Sequence, residues 1–304
     1  MGSGFDALAG LAKQRQDAQP KESFGLTEAV ARYLDKRVEE DRSDGFHVSS
    51  LYRFCPVQWV LARVMKKPRY DPVKDKFRWE VGHAMHWLLQ KQFTEMGCLK
   101  GQWRCENGHI PDAITTRPAA CAVCGSVRLA YQEMRVSHEV DKGVRIVGRT
   151  DGVVELNGED FGIEIKSEDP AALPGISQPR DYPVYQLNVY MHLLRELGMF
   201  PNLRRGIVIH VAPMGKDTVL LPMKSFVIEY SDEPWKKSVE LVKSAASLWS
   251  AYERGRLTVE SLIANRVCGS RDDGRRHYCD YVAEDFGVDA MKAAIGSKRA
   301  EAKK

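Results

Sequence analysis

The stretch Val147-Gly-Arg-Thr-Asp-Gly-Val-Val-Glu-Leu156, followed by Phe161-Gly-Ile-Glu-Ile-Lys-Ser167, constrains this chain more than any other. Both halves are dense in Val and Ile, and Asn157-Gly158 between them is a strong hairpin signal, so they read as two paired β-strands. Side chains alternate between the faces of a strand, so Glu164 and Lys166 project from one side while Ile163 and Ile165 pack behind. Asp151 lies just across the hairpin and joins them. Two carboxylates and one ammonium then surround a single point, the set a hydrolase needs to hold a divalent metal and position an attacking water. A bare Glu-x-Lys is common by chance, however, and alone would be a solvated pair on a strand face, with Asp151 a turn residue. Other motifs have to decide.

A chain of 304 residues can bury a substantial core in one large domain or two small ones. It has no apolar run long enough to span a bilayer and no signal peptide, so a soluble protein of the cytoplasm, not associated with a membrane, is expected. The net charge of +4 is too small to demonstrate a nucleic-acid partner, although Lys and Arg thicken around Arg266 to Arg276 and from Lys298 to Lys304. Seven cysteines in an intracellular chain favour metal sites or free thiols over a disulfide framework.

Along the chain, residues 1–46 read as a peripheral helix and linker, 47–97 as a helical segment and 98–130 as a separate small module. Residues 131–288 carry the main core and C-terminal helices, and 289–304 form a basic tail. Ser49-Ser50 is placed to cap a short helix, and Cys55-Pro56 to restart a second one through Val64. The segment Asp75 to Met96 reads as a strongly amphipathic helix, with Trp79, Gly82, His86, Leu89 and Phe93 on one core-facing stripe. A lone His on such a stripe is ordinarily a core residue. Glu133 to Val140 and Val144 to Thr150 read as strands, and the loop from Glu168 to Gly175 as mobile and close to substrate. A helix from Asp181 to Glu196, stopped by Gly198 and Pro201, puts Gln186 and Tyr190 on one face. Strands from Arg204 to Val211 and from Phe226 to Tyr230, then a helix from Asp232 to Arg254, follow.

Within the small module, Cys105-x3-His109-x11-Cys121-x2-Cys124 supplies four soft ligands, and Asn107-Gly108 and Cys124-Gly125 allow the tight turns that aim them at one ion. This spacing is specific for a closed, structural zinc site, and so small a module would depend on the metal to fold. Its place in the chain, between His86 and Asp151, lets the module lie at the rim of the cleft those residues share.

In order, Gly82-x-x-x-His86, Gly148-x-x-Asp151, Glu164-x-Lys166 and Gln186-x-x-x-Tyr190 resemble the motif series of the RecB-like branch of the PD-(D/E)XK nucleases. That group includes the RecB and AddB nuclease domains, the CRISPR-associated RecB-like exonuclease and many phage enzymes. The similarity spans roughly residues 47–282, with the zinc ribbon as an insertion. It implies an α/β fold with a restriction-endonuclease-like core, a central mixed sheet flanked by helices. It implies Mg²⁺ or Mn²⁺ held by His86, Asp151, Glu164 and the Ile165 carbonyl, Lys166 orienting or helping to deprotonate the water, and Gln186 and Tyr190 steadying the substrate phosphate and the surroundings of Lys166. The activity implied is an exonuclease on DNA ends or single strands. The alternatives are a structure- or sequence-specific endonuclease of the same fold, or a decayed DNA-binding or scaffold protein. The setting implied is a bacterial or phage-infected cell, with recombination or replication proteins as partners. One subgroup carries a 4Fe-4S cluster on one early and three late cysteines; Cys55-Pro56 resembles the early position and Cys279 a late one. Here only two late cysteines exist, Cys268 and Cys279. Either Cys98 or His277 substitutes for the missing ligand, or Cys55, Cys268 and Cys279 simply pack.

Overall fold

The Val- and Ile-rich stretch pairs as β-structure, but not as one hairpin. In the computed structural model, residues 26–36, 45–65, 73–213 and 222–264 are described. The elements in chain order are α1 (Leu26–Lys36), β1 (Phe46–His47), α2 (Val48–Leu51), α3 (Pro56–Met65), α4 (Val73–Glu95), β2 (Leu99–Lys100), β3 (Gln102–Cys105) and β4 (Leu129–Gln132). They continue as β5 (Met134–Asp141), β6 (Val144–Thr150), β7 (Gly152–Leu156), β8 (Glu159–Ser167), α5 (Asp181–Glu196), β9 (Arg205–Val211), β10 (Met223–Glu229), α6 (Glu233–Glu253) and α7 (Val259–Ala264). Two units divide the chain. The first comprises residues 1–41 and 70–81; within it the Lys76 ammonium donates to the Leu34 carbonyl at 2.9 Å. The second, residues 42–69 and 82–304, contains everything that follows.

Its centre is a five-stranded mixed sheet in the order β10-β9-β8-β7-β2, with β8 and β9 parallel and the other pairs antiparallel. Alternation along β8 sends Phe161, Ile163 and Ile165 to one face, where Met85, Leu89 and Phe93 of α4 cover them. Val153 and Val208 belong instead to the core that α5 builds with Leu187, Met191 and Leu194. A second sheet, β1-β6-β5, and a two-stranded ribbon, β3-β4, complete the strands. The result is a mixed sheet flanked by helices, the architecture that the motif series implies.

The stretch from Val147 to Leu156 is two strands rather than the single one the pattern suggests. β6 belongs to the three-stranded sheet and β7 to the five-stranded one, and Asp151 is the residue between them. Gly152 makes the change of sheet possible: its φ of 150° lies where side chains are disfavoured, and a Cβ there would stand 2.8 Å from Leu99 Cδ1 and 2.9 Å from the Tyr131 hydroxyl. The other half of the expectation holds, since Asn157 and Gly158 turn with φ of 54° and 78° and β7 pairs with β8 from Gly152↔Ile163 to Leu156↔Glu159.

Several finer expectations need correction. Ser49 and Ser50 lie inside α2, whose N-cap is His47 without a side-chain cap. The helix α4 forms, but its apolar residues are not confined to one stripe: Phe77, Trp87 and Leu88 are exposed, and only Leu89 and Gln90 are fully buried. The loop after β8 is anchored rather than loose. Leu173 and Ile176 are buried against Ala212 and Phe226, the Lys224 ammonium donates to the carbonyls of Pro174 and Ile176 at 2.7 Å each, and Glu168 binds Arg180 at 3.0 Å and His210 at 2.8 Å. Among the candidate cluster ligands, Cys55 caps α3, its sulfur accepting from the Gln58 amide at 3.4 Å, and Cys98 is buried. Cys268, His277 and Cys279 lie outside the described residues, as do the basic stretches beyond Arg266. No helix among the described residues is long and apolar enough to cross a membrane.

Candidate active site

Asp151 sits where the chain passes from one sheet to the other, and all three of its oxygens are engaged. Its Oδ2 accepts from the Ile165 amide at 2.6 Å, tying it to β8, and its Oδ1 lies 3.1 Å from His86 Nδ1 on α4. Its main-chain carbonyl accepts from Gln90 Nε2 at 3.0 Å and from the Tyr131 hydroxyl at 3.2 Å. On β8, Glu164 and Lys166 do project from the same face: the Lys166 ammonium is 2.5 Å from Glu164 Oε1 and donates to Gln186 Oε1 at 3.0 Å. Gln186 and Tyr190 are buried one turn apart on α5. The space Tyr190 occupies explains Gly148, because a Cβ there would come within 2.7 Å of the tyrosine ring and 2.9 Å of its hydroxyl. All four motifs therefore meet in one place, and His83 is exposed on a different face.

Glu164 is 1 % exposed, and its Oε2 has no hydrogen-bond partner among the described residues. A dry, unpaired carboxylate oxygen is costly unless a cation faces it. Burial pushes the Glu164 carboxyl up to about 7, although Lys166 pulls the other way. Burial likewise pulls His86 down, but the Asp151 carboxylate outweighs it and the net shift is upward. The same balance holds Lys166 above its ordinary value, burial opposing and Glu164 prevailing, so the lysine is an ammonium in this arrangement.

Three contributors escape the motif reading. Glu133, at the junction of β4 and β5, brings its carboxylate to His86 and Asp151, and one ligand atom from each of the three lies within 4.8 Å of the others. Gln90 bridges Glu133 Oε1 at 3.2 Å and the Asp151 carbonyl. Tyr131 makes the remaining bond to that carbonyl. Gln90 was findable, being four residues after His86 on the same helix face. Glu133 and Tyr131 carry no motif, and only the placing of β4 beside Asp151 brings them in.

In the inserted ribbon, Cys105, His109, Cys121 and Cys124 offer ligand atoms within 4.8 Å of one another. Bonds of about 2.3 Å to sulfur and about 2.05 Å to nitrogen make tetrahedral edges of about 3.8 Å for S–S and about 3.5 Å for S–N. The Cys105–Cys124 sulfurs are 3.8 Å apart and Cys105 Sγ is 3.5 Å from His109 Nδ1, so the residues fit zinc. The Asn107 side-chain amide, 3.4 Å from Cys124 Sγ, leads the effects that pull that thiol down to about 6, which favours the ligating thiolate at neutral pH.

The sequence model of the PD-(D/E)XK nuclease superfamily matches residues 48–282, and the chain belongs to that superfamily, whose members use divalent metals. Among solved structures, SSO0001 is similar with a TM-score of 0.42 and 16% identity, covering 73% of this chain and 86% of that one. An alkaline exonuclease, LHK-Exo from Laribacter hongkongensis, is similar with a TM-score of 0.42 and 11% identity over 75% of this chain and 97% of that one. The complex of LHK-Exo with dAMP gives 0.39 and 12% over the same shares. No curated protein matches the chain.

Proposed function

We propose that this nuclease-superfamily chain is a metal-dependent deoxyribonuclease of the exonuclease kind, acting on DNA ends or single strands. The observation that carries this is the pairing of Lys166 with one oxygen of Glu164 while the other stays buried and bare, within electrostatic reach of Asp151 and His86. Asp151, Glu164, His86 and the Ile165 carbonyl would hold Mg²⁺ or Mn²⁺, which when bound polarises a phosphate and lowers the pKa of a water. The Lys166 ammonium, fixed between Glu164 and Gln186, orients that water and meets charge on the phosphate rather than removing a proton. Gln186 holds the lysine, and Tyr190, filling the space at Gly148, holds Gln186's helix against β6. Supporting a DNA partner, Arg104, Arg117 and Arg128 line a cleft of about 570 Å³ on the ribbon beside Tyr131. Zinc on Cys105, His109, Cys121 and Cys124 is structural in this proposal, since four protein ligands leave no open position.

The test compares end-labelled linear DNA, single- and double-stranded, with covalently closed circles in Mg²⁺ or Mn²⁺. Loss of label from linear DNA with intact circles is expected. Cutting of the circles would replace exonuclease with endonuclease, and inertness towards every substrate would sink the nuclease activity. Elemental analysis of the same preparation should find one zinc per chain, and iron measured alongside it decides the cluster.

A further inference from the structure

We propose that Glu133 is a ligand of the catalytic divalent cation, sharing the ion with His86 and Asp151. This rests on the nuclease reading of the Asp151 site and adds to it a residue outside the four motifs. The Glu133 carboxylate, a carboxylate oxygen of Asp151 and a ring nitrogen of His86 lie within 4.8 Å of one another, the spread that donors around one small cation require. For metal–ligand bonds of about 2.1 Å, neighbouring donors stand about 3 Å apart and opposite ones about 4.2 Å. Glu164 is not part of that group, so Glu133 is the second carboxylate drawn closest to Asp151 and His86.

Two anionic groups held this close in a half-buried site need a positive charge between them. Among the described residues no Lys or Arg forms an ion pair with Glu133, and Lys166 is already committed to Glu164 and Gln186. Among the described residues the one hydrogen-bond donor on Glu133 is the neutral amide of Gln90. That amide also grips the Asp151 carbonyl, so a single side chain on the His86 helix sets the spacing of both carboxylates. An outer hydrogen-bond donor that orients metal-binding carboxylates is how such centres are built. A separate observation is the Oε2 of Glu164, buried and without a hydrogen-bond partner among the described residues, a polar atom left for a cation to satisfy.

The experiment is Mn²⁺ titration of the zinc-loaded full chain by calorimetry, with the Mn²⁺-induced rise in melting temperature as a second readout. Glu133→Gln should weaken Mn²⁺ binding by at least about tenfold. It should also lose most of the Mn²⁺-induced stabilisation, while the metal-free protein melts no lower than wild type because a charge repulsion has been removed. Glu133→Asp, which keeps the carboxylate, should fall between the two and serves if the Gln variant fails to fold. Glu95→Gln, the same charge change on the exposed end of α4, is the control and should bind as wild type does. Wild-type affinity in Glu133→Gln together with lost affinity in Asp151→Asn would overturn the Glu133 assignment and leave the nuclease reading standing. If Asp151→Asn also binds Mn²⁺ normally, the site itself is misassigned.

Discussion

Burial holds the Glu164 carboxyl protonated to about 7 in the metal-free fold, even with Lys166 against it, and this has two consequences of opposite sign. The folded value lies above the 4.5 of the free group, so Glu164 contributes stability that is fully present below pH 4.5 and is lost as pH rises through about 7. A bound cation requires the ionised form, so metal affinity gains as pH rises through the same range. The metal-induced increase in melting temperature should therefore be larger near about pH 8 than near about pH 5.5, and calorimetry in buffers of different ionisation enthalpy should register proton release on Mn²⁺ binding at about pH 6. A pH-independent metal shift would contradict the burial of Glu164. At the same scale, Asp151→Ala, Glu164→Ala and Lys166→Ala should each cut the rate of DNA hydrolysis by at least about 10²–10³-fold with folding retained, as measured by single-turnover assays and circular dichroism. In the proposed ligand set His86 adds a nitrogen to oxygens, so His86→Ala should lower the rate and shift the ratio of Mn²⁺- to Mg²⁺-supported activity. Equal ratios before and after would return His86 to a packing role.

Between elements, the pairing that matters most joins β6 to α5. Gly148 on β6 is where the tyrosine of α5 lies flat against the strand, and the lysine of β8 is held by the glutamine one turn earlier on that helix. Gly148→Ala would place a methyl 2.7 Å from the Tyr190 ring, too close for both to stay, and Tyr190 is itself buried in the core. Overpacking of this kind costs about 1–3 kcal/mol. The variant should melt lower, and should lose activity beyond what Tyr190→Phe loses, because the displacement carries Gln186 away from Lys166. If Gly148→Ala is as stable and as active as the parent, the close approach has no part in holding the site.

For the whole molecule, the ribbon carrying the cysteines touches the Asp151 site through Tyr131. β3 and β4 pair from Gln102↔Gln132 to Cys105↔Leu129, so the knuckle residue Cys105 lies at one end of the ladder that holds Tyr131 opposite Trp103. Tyr131 stacks edge-on to Trp103, 5.6 Å between ring centres, and donates to the Asp151 carbonyl. Through this bond, loss of zinc is expected to reach the Asp151 site as well as DNA binding. Cys121→Ser with Cys124→Ser should impair DNA binding and also weaken Mn²⁺ binding at Asp151, and Tyr131→Phe should reproduce a part of the second effect alone. Calorimetric Mn²⁺ affinities of the three proteins decide it; unchanged values in both variants would separate the ribbon from the site.

What the sequence determined by itself is everything that depends on short-range order along the chain. The Asn157-Gly158 turn, the alternation that sets Glu164 and Lys166 on one face, the four-residue spacing of Gln186 and Tyr190 and the Cys and His spacing of the ribbon are local geometry, legible because strand and helix periods are constant. The tertiary structure alone decided which distant segments meet. That Asp151 lies at a change of sheet rather than within a strand follows from Leu99 and Tyr131 packing against Gly152. Glu133 shows the difference most sharply: in sequence it is one acidic residue at the head of a strand, and only the tertiary fold brings its carboxylate to within 4.8 Å of ligand atoms of His86 and Asp151, with the Gln90 amide bonded to it. Burial, and with it the rise of the Glu164 carboxyl to about 7, is likewise a property of the packed neighbours and not of any motif.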